Sequence, residues 1–107
     1  MTNLHTTIES ARSIGLTRAQ LRYLRAVRDL TADGLPTTHR AVAYRLGVVP
    51  AGVYQMLTRL RRDGLVAFNR GQTRTIRLTD AGREASELRA VDVRARAGNR
   101  HDLAAVD

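Results

Sequence analysis

The sequence predicts a single, mainly α-helical domain that carries one small β-hairpin. Apolar residues recur at helical spacing in three consecutive segments between residues 17 and 63. Two short segments with alternating apolar residues then follow, at residues 65–68 and 75–79. Amphipathic helices produce the first pattern and half-buried strands the second. A chain of 107 residues is long enough for one modest core of this kind.

The first predicted helix begins after Thr17. The segment TRAQ forms a capping box, in which Thr17 caps the helix and Gln20 reaches back to the cap. Gly34 and Pro36 then break the helix. Its apolar stripe consists of Leu21, Leu24 and Val27, widened by Tyr23 and Leu30.

Two further helices are separated by only three residues. The second helix starts after Thr38, a good N-cap, and stops at Gly47. The third starts at Pro50, which suits the first position of a helix, and runs to about Asp63 before Gly64. The predicted inner faces are Val42, Ala43 and Leu46 in the second helix and Val53, Met56, Leu57 and Leu60 in the third.

Two strands and a fourth helix complete the predicted domain. Val66 and Phe68 share one face of the first strand, and Ile76 and Leu78 share one face of the second. Residues 69–74 form the tip of the hairpin. Thr79 caps a helix over residues 80–97, whose stripe of Ala81, Ala85, Leu88 and Val91 is the predicted interface of a homodimer.

The predicted domain organisation has four parts. Residues 1–15 form an arm or a short helix, and residues 16–79 form the main domain. Residues 80–97 form the C-terminal helix, and residues 98–107 form a tail. The order of helix, helix, short turn, helix, hairpin and helix is that of a winged helix-turn-helix.

Three motifs, in this order and at this spacing, resemble those of known bacterial repressors: a turn LG-V-x-x-x-x-V, a helix exit L-x-x-DGLV and a strand-to-helix junction LT-x-x-G-R. LGVVPAGVYQMLTRLRRDGLV and the later IRLTDAGREA are similar to the DNA-binding cores of MarR-like and DtxR-like repressors, and GLPTTHRAVAYRLG is similar to the DNA-binding domain of LexA-type repressors. The resemblance covers about residues 17–86. It implies a winged helix-turn-helix that binds DNA and regulates transcription.

The chain departs from each of these families. It has no room for the self-cleaving domain of LexA-type proteins, and it lacks the longer flanking helices of MarR-like ones. DtxR-like proteins bind metal through Cys, His, Met and carboxylate ligands, whereas this chain has no cysteine. His5, His39 and His101 also lack a suitable ligand partner one helical turn away. We therefore predict no metal cofactor and no small-molecule effector, although an effector is not excluded.

The charge distribution predicts double-stranded DNA as the partner. The net charge is +8, and all eighteen basic residues are arginines. Residues 34–79 carry eight arginines against Asp63 alone, which gives +7, whereas residues 1–33 carry +2 and residues 80–107 carry −1. Positive charge focused on one segment favours a polyanion. Ser10, Ser13 and Ser86 lie in no nucleophile motif, so no enzyme is predicted.

Helical geometry predicts which side chains meet the DNA. The predicted base-reading residues lie on the third helix, opposite its buried row. The start of the second helix and the hairpin tip are predicted to add contacts with the DNA backbone. The predicted base readers are Ala51, Gly52, Tyr54, Gln55 and Thr58. The predicted contacts with the DNA backbone are Thr38, His39, Arg40, Arg59 and Arg62. The predicted wing contacts are Arg70, Gln72, Thr73 and Arg74.

Two alternatives to a transcriptional regulator stay open. Some winged helices bind proteins, which predicts apolar residues outside the core. A plasmid or phage DNA-binding factor outside transcription would share every feature above. No apolar run of membrane-spanning length and no signal peptide is present, so we expect a cytoplasmic, nucleoid-associated protein without a membrane partner.

Overall fold

The computed structural model describes residues 15–69 and 72–93, and for residues 69 and 72–74 it describes the backbone alone. These ranges confirm the predicted mainly α-helical fold with a two-stranded antiparallel hairpin. In chain order the elements are α1 (Arg18–Ala32), α2 (His39–Leu46), α3 (Pro50–Arg62), β1 (Val66–Asn69), β2 (Gln72–Leu78), α4 (Asp80–Ser86) and a 3-10 turn (Ala90–Asp92). Within the described ranges, no helix has the length and hydropathy to cross a membrane.

The helix boundaries follow the predicted caps. Thr17 Oγ1 accepts a hydrogen bond from the Gln20 amide at 3.1 Å, and the Thr17 amide donates to Gln20 Oε1 at 2.9 Å, so the capping box is confirmed. The Thr38 hydroxyl caps α2 by accepting a hydrogen bond from the Ala41 amide, and the Thr79 hydroxyl caps α4 by accepting one from the Gly82 amide. α2 ends at Gly47, whose φ of 68° lies in the left-handed region that favours glycine.

The core lies between α1, α2, α3 and the inner face of the hairpin. The predicted apolar rows of α1, α2, α3 and the hairpin are confirmed, except that Tyr23, Leu46 and Met56 are only partly buried at its edge. The fully enclosed aliphatic side chains are Leu16, Leu21, Leu24, Val27, Val42, Val53, Leu57, Leu60, Val66 and Ile76. Burying this apolar surface supplies most of the free energy that holds the elements together.

The hairpin is longer than the sequence predicts. Val66 pairs with Leu78, and Asn69 pairs with Gln72, with a register shift between Ala67 and Asn69. Residues 69 and 72–74, assigned to the tip, therefore belong to the strands. The alternation that marks a strand is absent from these residues, because all of them are polar.

The loop before α2 joins the hairpin, which the sequence did not predict. Thr37 forms a parallel bridge with Thr75, and the Ile76 amide donates to the Thr37 carbonyl at 3.0 Å. The start of α2 is consequently tied to β2. This bridge fixes the start of α2 relative to the wing.

The predicted helix over residues 80–97 is wrong in its length, because α4 ends at Ser86. Arg25 Nε and Arg28 Nη1 donate to the Ser86 carbonyl at 3.2 and 3.0 Å, and Arg25 also donates to the Leu88 carbonyl. These arginines of α1 satisfy carbonyl groups at the C-terminal end of the helix. The chain then turns along α1, where Arg18 Nε donates to the Ala90 carbonyl at 3.2 Å.

The stripe predicted as a dimer interface does not form one exposed face. Ala85 and Leu88 are buried in their own domain, whereas Ala81 and Val91 are exposed. The buried members pack with Val93 on the core. The predicted arm over residues 1–15, apart from Gly15, and the predicted tail over residues 98–107 lie outside the described residues.

At Gly82, α4 packs so closely against the junction of α3 and β1 that a side chain does not fit between them. Thr79 Oγ1 donates to the Gly64 carbonyl at 2.6 Å, and the Thr79 amide donates to the Leu65 carbonyl at 3.1 Å. A Cβ atom at Gly82 would lie 1.9 Å from the Leu65 carbonyl oxygen. Because that oxygen belongs to the backbone, relief of the overlap requires α4 to move.

We expect Gly82→Ala to lower the free energy of unfolding by about 3 kcal/mol or more, at the upper end of the usual cost of overpacking. Urea denaturation followed by circular dichroism measures the change. Ala81→Ser, on the exposed side of the same turn, is the control and should stay within about 0.5 kcal/mol of the parent. Equal stability of Gly82→Ala and the parent would show that α4 is not packed in this way.

Candidate nucleic-acid interface

The exposed side of α3 is defined by what the helix buries. Val53, Leu57 and Leu60 are fully enclosed, and the three residues 47–49 connect α3 to α2. Pro50 occupies the first turn, and Val49 offers no side-chain hydrogen bond to the helix start. The amides of this first turn therefore have no side-chain cap, and they lie beside small side chains.

The predicted base-reading residues lie together on this helix. Ala51, Gly52, Tyr54 and Gln55 are exposed, and Tyr54 retains 43% of its accessible surface. Farther along the helix is a depression of about 500 Å³. Its lining consists of Tyr54, Gln55, Thr58, Arg59, Arg61 and Arg62. The face thus combines a small-residue entrance, polar side chains and an arginine-rich end.

Thr58 exposes less of its side chain on this face than the sequence predicts. The residue is half-buried, and its Oγ1 is shielded from solvent without a hydrogen-bond partner among the described residues. The exposed part of the side chain is therefore carbon. Thr58 suits an apolar contact, such as one with a thymine methyl group, better than a hydrogen bond.

The last turn of α3 contains three arginines, two of which are exposed and one of which contacts β1. Arg59 and Arg62 are exposed, as a contact with phosphates requires. The Arg61 guanidinium instead lies 4.5 Å from the centroid of the Phe68 ring, and its Nη1 donates to the Phe68 carbonyl at 3.3 Å. Cations at this end of a helix also interact favourably with the helix dipole. Arg61 therefore attaches α3 to β1, which the sequence did not predict.

The start of α2 departs from the prediction at one residue. Arg40 is exposed, and Thr38 uses its hydroxyl to accept the Ala41 amide at 3.0 Å. His39 is only partly exposed, and both of its ring nitrogens are shielded from solvent. The imidazole is thus packed inward, an arrangement that does not favour the predicted contact of the His39 side chain with the DNA backbone.

The side chains of all four predicted wing contacts lie outside the described residues. Arg70 lies outside the described residues, and so do the side chains of Gln72, Thr73 and Arg74. Arg77 is exposed on β2 between the buried Ile76 and Leu78. Alternation along the strand would have found this outward arginine, which the sequence analysis did not single out.

Some arginines are already engaged within the fold. Arg45 Nη2 lies 3.1 Å from Asp33 Oδ2, and Arg28 Nε lies 3.0 Å from Asp29 Oδ1. Arg18 and Arg25 donate to carbonyl groups of the C-terminal segment. Among the described residues, the exposed arginines outside such contacts are Arg22 on α1, Arg40 at the start of α2, Arg59 and Arg62 on α3, and Arg77 on β2.

The described residues do not offer a metal site. Within residues 15–69 and 72–93, no three His, Cys, Asp or Glu side chains come together as ligands. Several carboxylates are paired with arginines, as in Asp80–Arg83 and Asp92–Arg89. The ring nitrogens of His39 are shielded, and no cluster of three ligand side chains among the described residues includes it.

The sequence matches one protein family. Residues 15–72 match the family model described as iron dependent repressor, N-terminal DNA binding domain. The match includes all of α1, α2, α3 and β1 and supports the DtxR-like rather than the MarR-like resemblance. No curated protein matches the chain.

Arg61 and Arg62 form a matched pair for testing the attachment of α3 to β1. We expect Arg61→Ala to lower the free energy of unfolding by roughly 1 kcal/mol more than Arg62→Ala, because only Arg61 loses a cation–π contact. Urea denaturation of both variants and the parent measures the difference. The attachment would be disproved if Arg62→Ala were as destabilising as Arg61→Ala.

Proposed function

Because the chain belongs to the iron dependent repressor family through the N-terminal DNA binding domain of that family, we propose that it is a sequence-specific transcriptional repressor. In this proposal α3 enters the major groove of double-stranded DNA, and the wing meets the minor groove or the backbone. Such a repressor would act on the nucleoid, in the cytoplasm. The exposed face of α3, with small and polar residues at its start and arginines at its end, carries the proposal.

The first turns of α3 have the side chains for close approach and base contact. Ala51 and Gly52 place little volume between the helix and a groove. Gln55 carries an amide that can bond adenine through two hydrogen bonds. Tyr54 lies beside Gln55 on the same exposed face. We assign these positions to sequence recognition.

The arginines supply affinity rather than sequence choice. Arg40, Arg59 and Arg62 are exposed around α2 and α3, where they can meet phosphates. We assign the same role to Arg77 on the wing, and we retain Arg70, Gln72, Thr73 and Arg74 as wing contacts. Contacts with phosphates release counterions, so they make binding depend steeply on salt.

We further propose that the protein binds a two-fold site as a homodimer, because a single winged helix makes few base contacts. The interface predicted on residues 80–97 does not include Ala85 and Leu88, which their own domain buries. Sedimentation or light scattering of the full chain, alone and with DNA, tests this proposal. A one-to-one complex on a two-fold site would contradict it.

The family implies iron, but the described residues do not fit an iron site, because their carboxylates and His39 form no ligand cluster. We therefore derive no part of DNA binding through a metal. The DNA-binding experiments are run both with Fe²⁺ and with a chelator, so that any requirement of the whole chain for iron is measured directly.

One observation favours a second function, the binding of another protein. Tyr44 is 91% exposed on α2, with Leu35, Val48 and Val49 also exposed nearby in sequence. An apolar surface outside the core is what an interaction module predicts. The concentration of arginines on α3 instead favours DNA. A plasmid or phage factor outside transcription shares this DNA-binding face.

The deciding experiment is an electrophoretic mobility shift with the full chain. The probes are the DNA upstream of its own gene and a scrambled duplex of the same composition, at several salt concentrations. We expect tighter binding to the upstream DNA and a linear fall of log affinity with log salt. If no DNA binds even at low salt, the proposed function is wrong and the interaction module takes its place.

Gln55→Ala and Arg62→Ala separate base readout from backbone contact. Gln55→Ala should weaken binding to the specific site by about 5- to 150-fold and leave scrambled DNA unaffected, because a bidentate base contact is lost. Arg62→Ala should weaken both duplexes alike and reduce the salt slope by about one. If Gln55→Ala weakened binding to both duplexes equally, Gln55 would not be a base-reading residue.

Gly52→Ala tests whether α3 closely approaches the DNA. No atom lies within 4 Å of a Cβ at this position, so the free protein can accept the methyl group. We expect the free energy of unfolding to rise by about 0.5–1 kcal/mol, because alanine favours the helix. Affinity for the specific DNA should nevertheless fall. Unchanged affinity in the stabilised variant would show that the first turn does not contact DNA closely.

A further inference from the structure

Tyr54 is the largest side chain among the predicted base readers, and its ring is supported from one side. The Tyr54 ring stacks on the imidazole of His39, with centroids 5.2 Å apart and planes inclined by 30°. Stacking at such a distance is favourable between aromatic rings. The support comes from α2, the helix that precedes α3.

The His39 ring also packs against a second aromatic ring, that of Phe68. Its centroid lies 5.5 Å from that of Phe68, with the two planes perpendicular. Phe68 is 7% exposed and belongs to the core, and Arg61 covers its ring. We call Tyr54, His39 and Phe68 the aromatic bridge. It joins the exposed face of α3 to β1 through the first residue of α2.

The backbone around His39 is anchored as well. Thr37 is bridged to β2 through the hydrogen bond from the Ile76 amide, and Thr38 caps α2. The backbone that carries the imidazole is thus attached to both α2 and β2. Because its nitrogens are shielded from solvent, contact with a phosphate would require His39 to leave the bridge.

We propose that His39 is a positioning residue for DNA recognition, which acts by holding the Tyr54 ring in one orientation on the exposed face of α3. This inference rests on the proposed function. An unsupported, exposed tyrosine populates several side-chain rotamers. A ring held in its binding orientation loses less conformational entropy on binding, so the specific complex is favoured. Non-specific binding through phosphates gains nothing from that orientation.

The proposal concerns the ring of His39 rather than its nitrogens. His39→Phe retains a planar aromatic ring in contact with Tyr54 and Phe68, whereas His39→Leu fills space without a π face. Tyr44→Ala is the matched control, because Tyr44 lies on the same helix, is exposed and is no part of the bridge. Tyr54→Ala removes the side chain that His39 is proposed to hold.

The experiment compares the affinities for a duplex that the parent protein selects from a random library and for scrambled DNA. We expect His39→Leu to lower the ratio of these affinities by roughly 2- to 10-fold, the range that corresponds to one aromatic pair. Affinity for scrambled DNA and the salt slope should not change. His39→Phe and Tyr44→Ala should retain the parent ratio.

A double-mutant cycle separates positioning from a general loss of structure. In a protein that already carries Tyr54→Ala, His39→Leu should have no further effect on the ratio, because the ring it holds is absent. Additive losses would overturn the proposal. A thermal unfolding midpoint is measured for every variant, and if His39→Leu is unstable, His39→Gln replaces it with the same expectation.

The outcomes also distinguish this inference from the proposed function. If the parent selects a specific duplex and His39→Leu retains its full affinity ratio, His39 does not position Tyr54 but the repressor function stands. If the parent protein selects no duplex, both are overturned. A loss in His39→Phe equal to that in His39→Leu would contradict a role for the ring.

Discussion

The burial of one side of α3 is the constraint on which the rest of the structure depends. Val53, Leu57 and Leu60 are completely enclosed by α1, α2 and the hairpin. Because these residues lie on one side of α3, the opposite side of the helix is the side that faces solvent. The same burial sets the rotation of α3 about its axis. Tyr54 and Gln55 are exposed because their neighbours in the sequence are buried.

Several elements besides the core hold that rotation in place. The three-residue connection to α2 restricts the position of the start of α3. The close contact of Gly82 in α4 with the Leu65 backbone restricts the position of the end of α3. The aromatic bridge and Arg61 connect its sides to α2 and β1. A rigid support of this kind suits recognition, because a reading surface that is ordered before binding loses less entropy when DNA arrives.

Chemically identical arginines serve two different purposes. Arg25 and Arg28 of α1 bond the carbonyl at the end of α4, whereas Arg59 and Arg62 of α3 extend into solvent. The sequence could show that the central segment is basic, because charge is counted along the chain. It could not show which guanidinium groups find carbonyl partners, because residues 25 and 86 meet only after folding. The early end of α4 went unpredicted for the same reason.

The sequence by itself determined the helix starts, the apolar rows of α1, α2 and α3, and the exposed side of α3. Caps and periodicity act between residues less than two turns apart, so Thr17, Thr38 and Thr79 could be identified from their neighbours. The tertiary structure alone decided the inward packing of His39, the bridge from Thr37 to β2 and the short α4. Each of these joins segments that are distant along the chain, and no local pattern records which distant partner a side chain will meet.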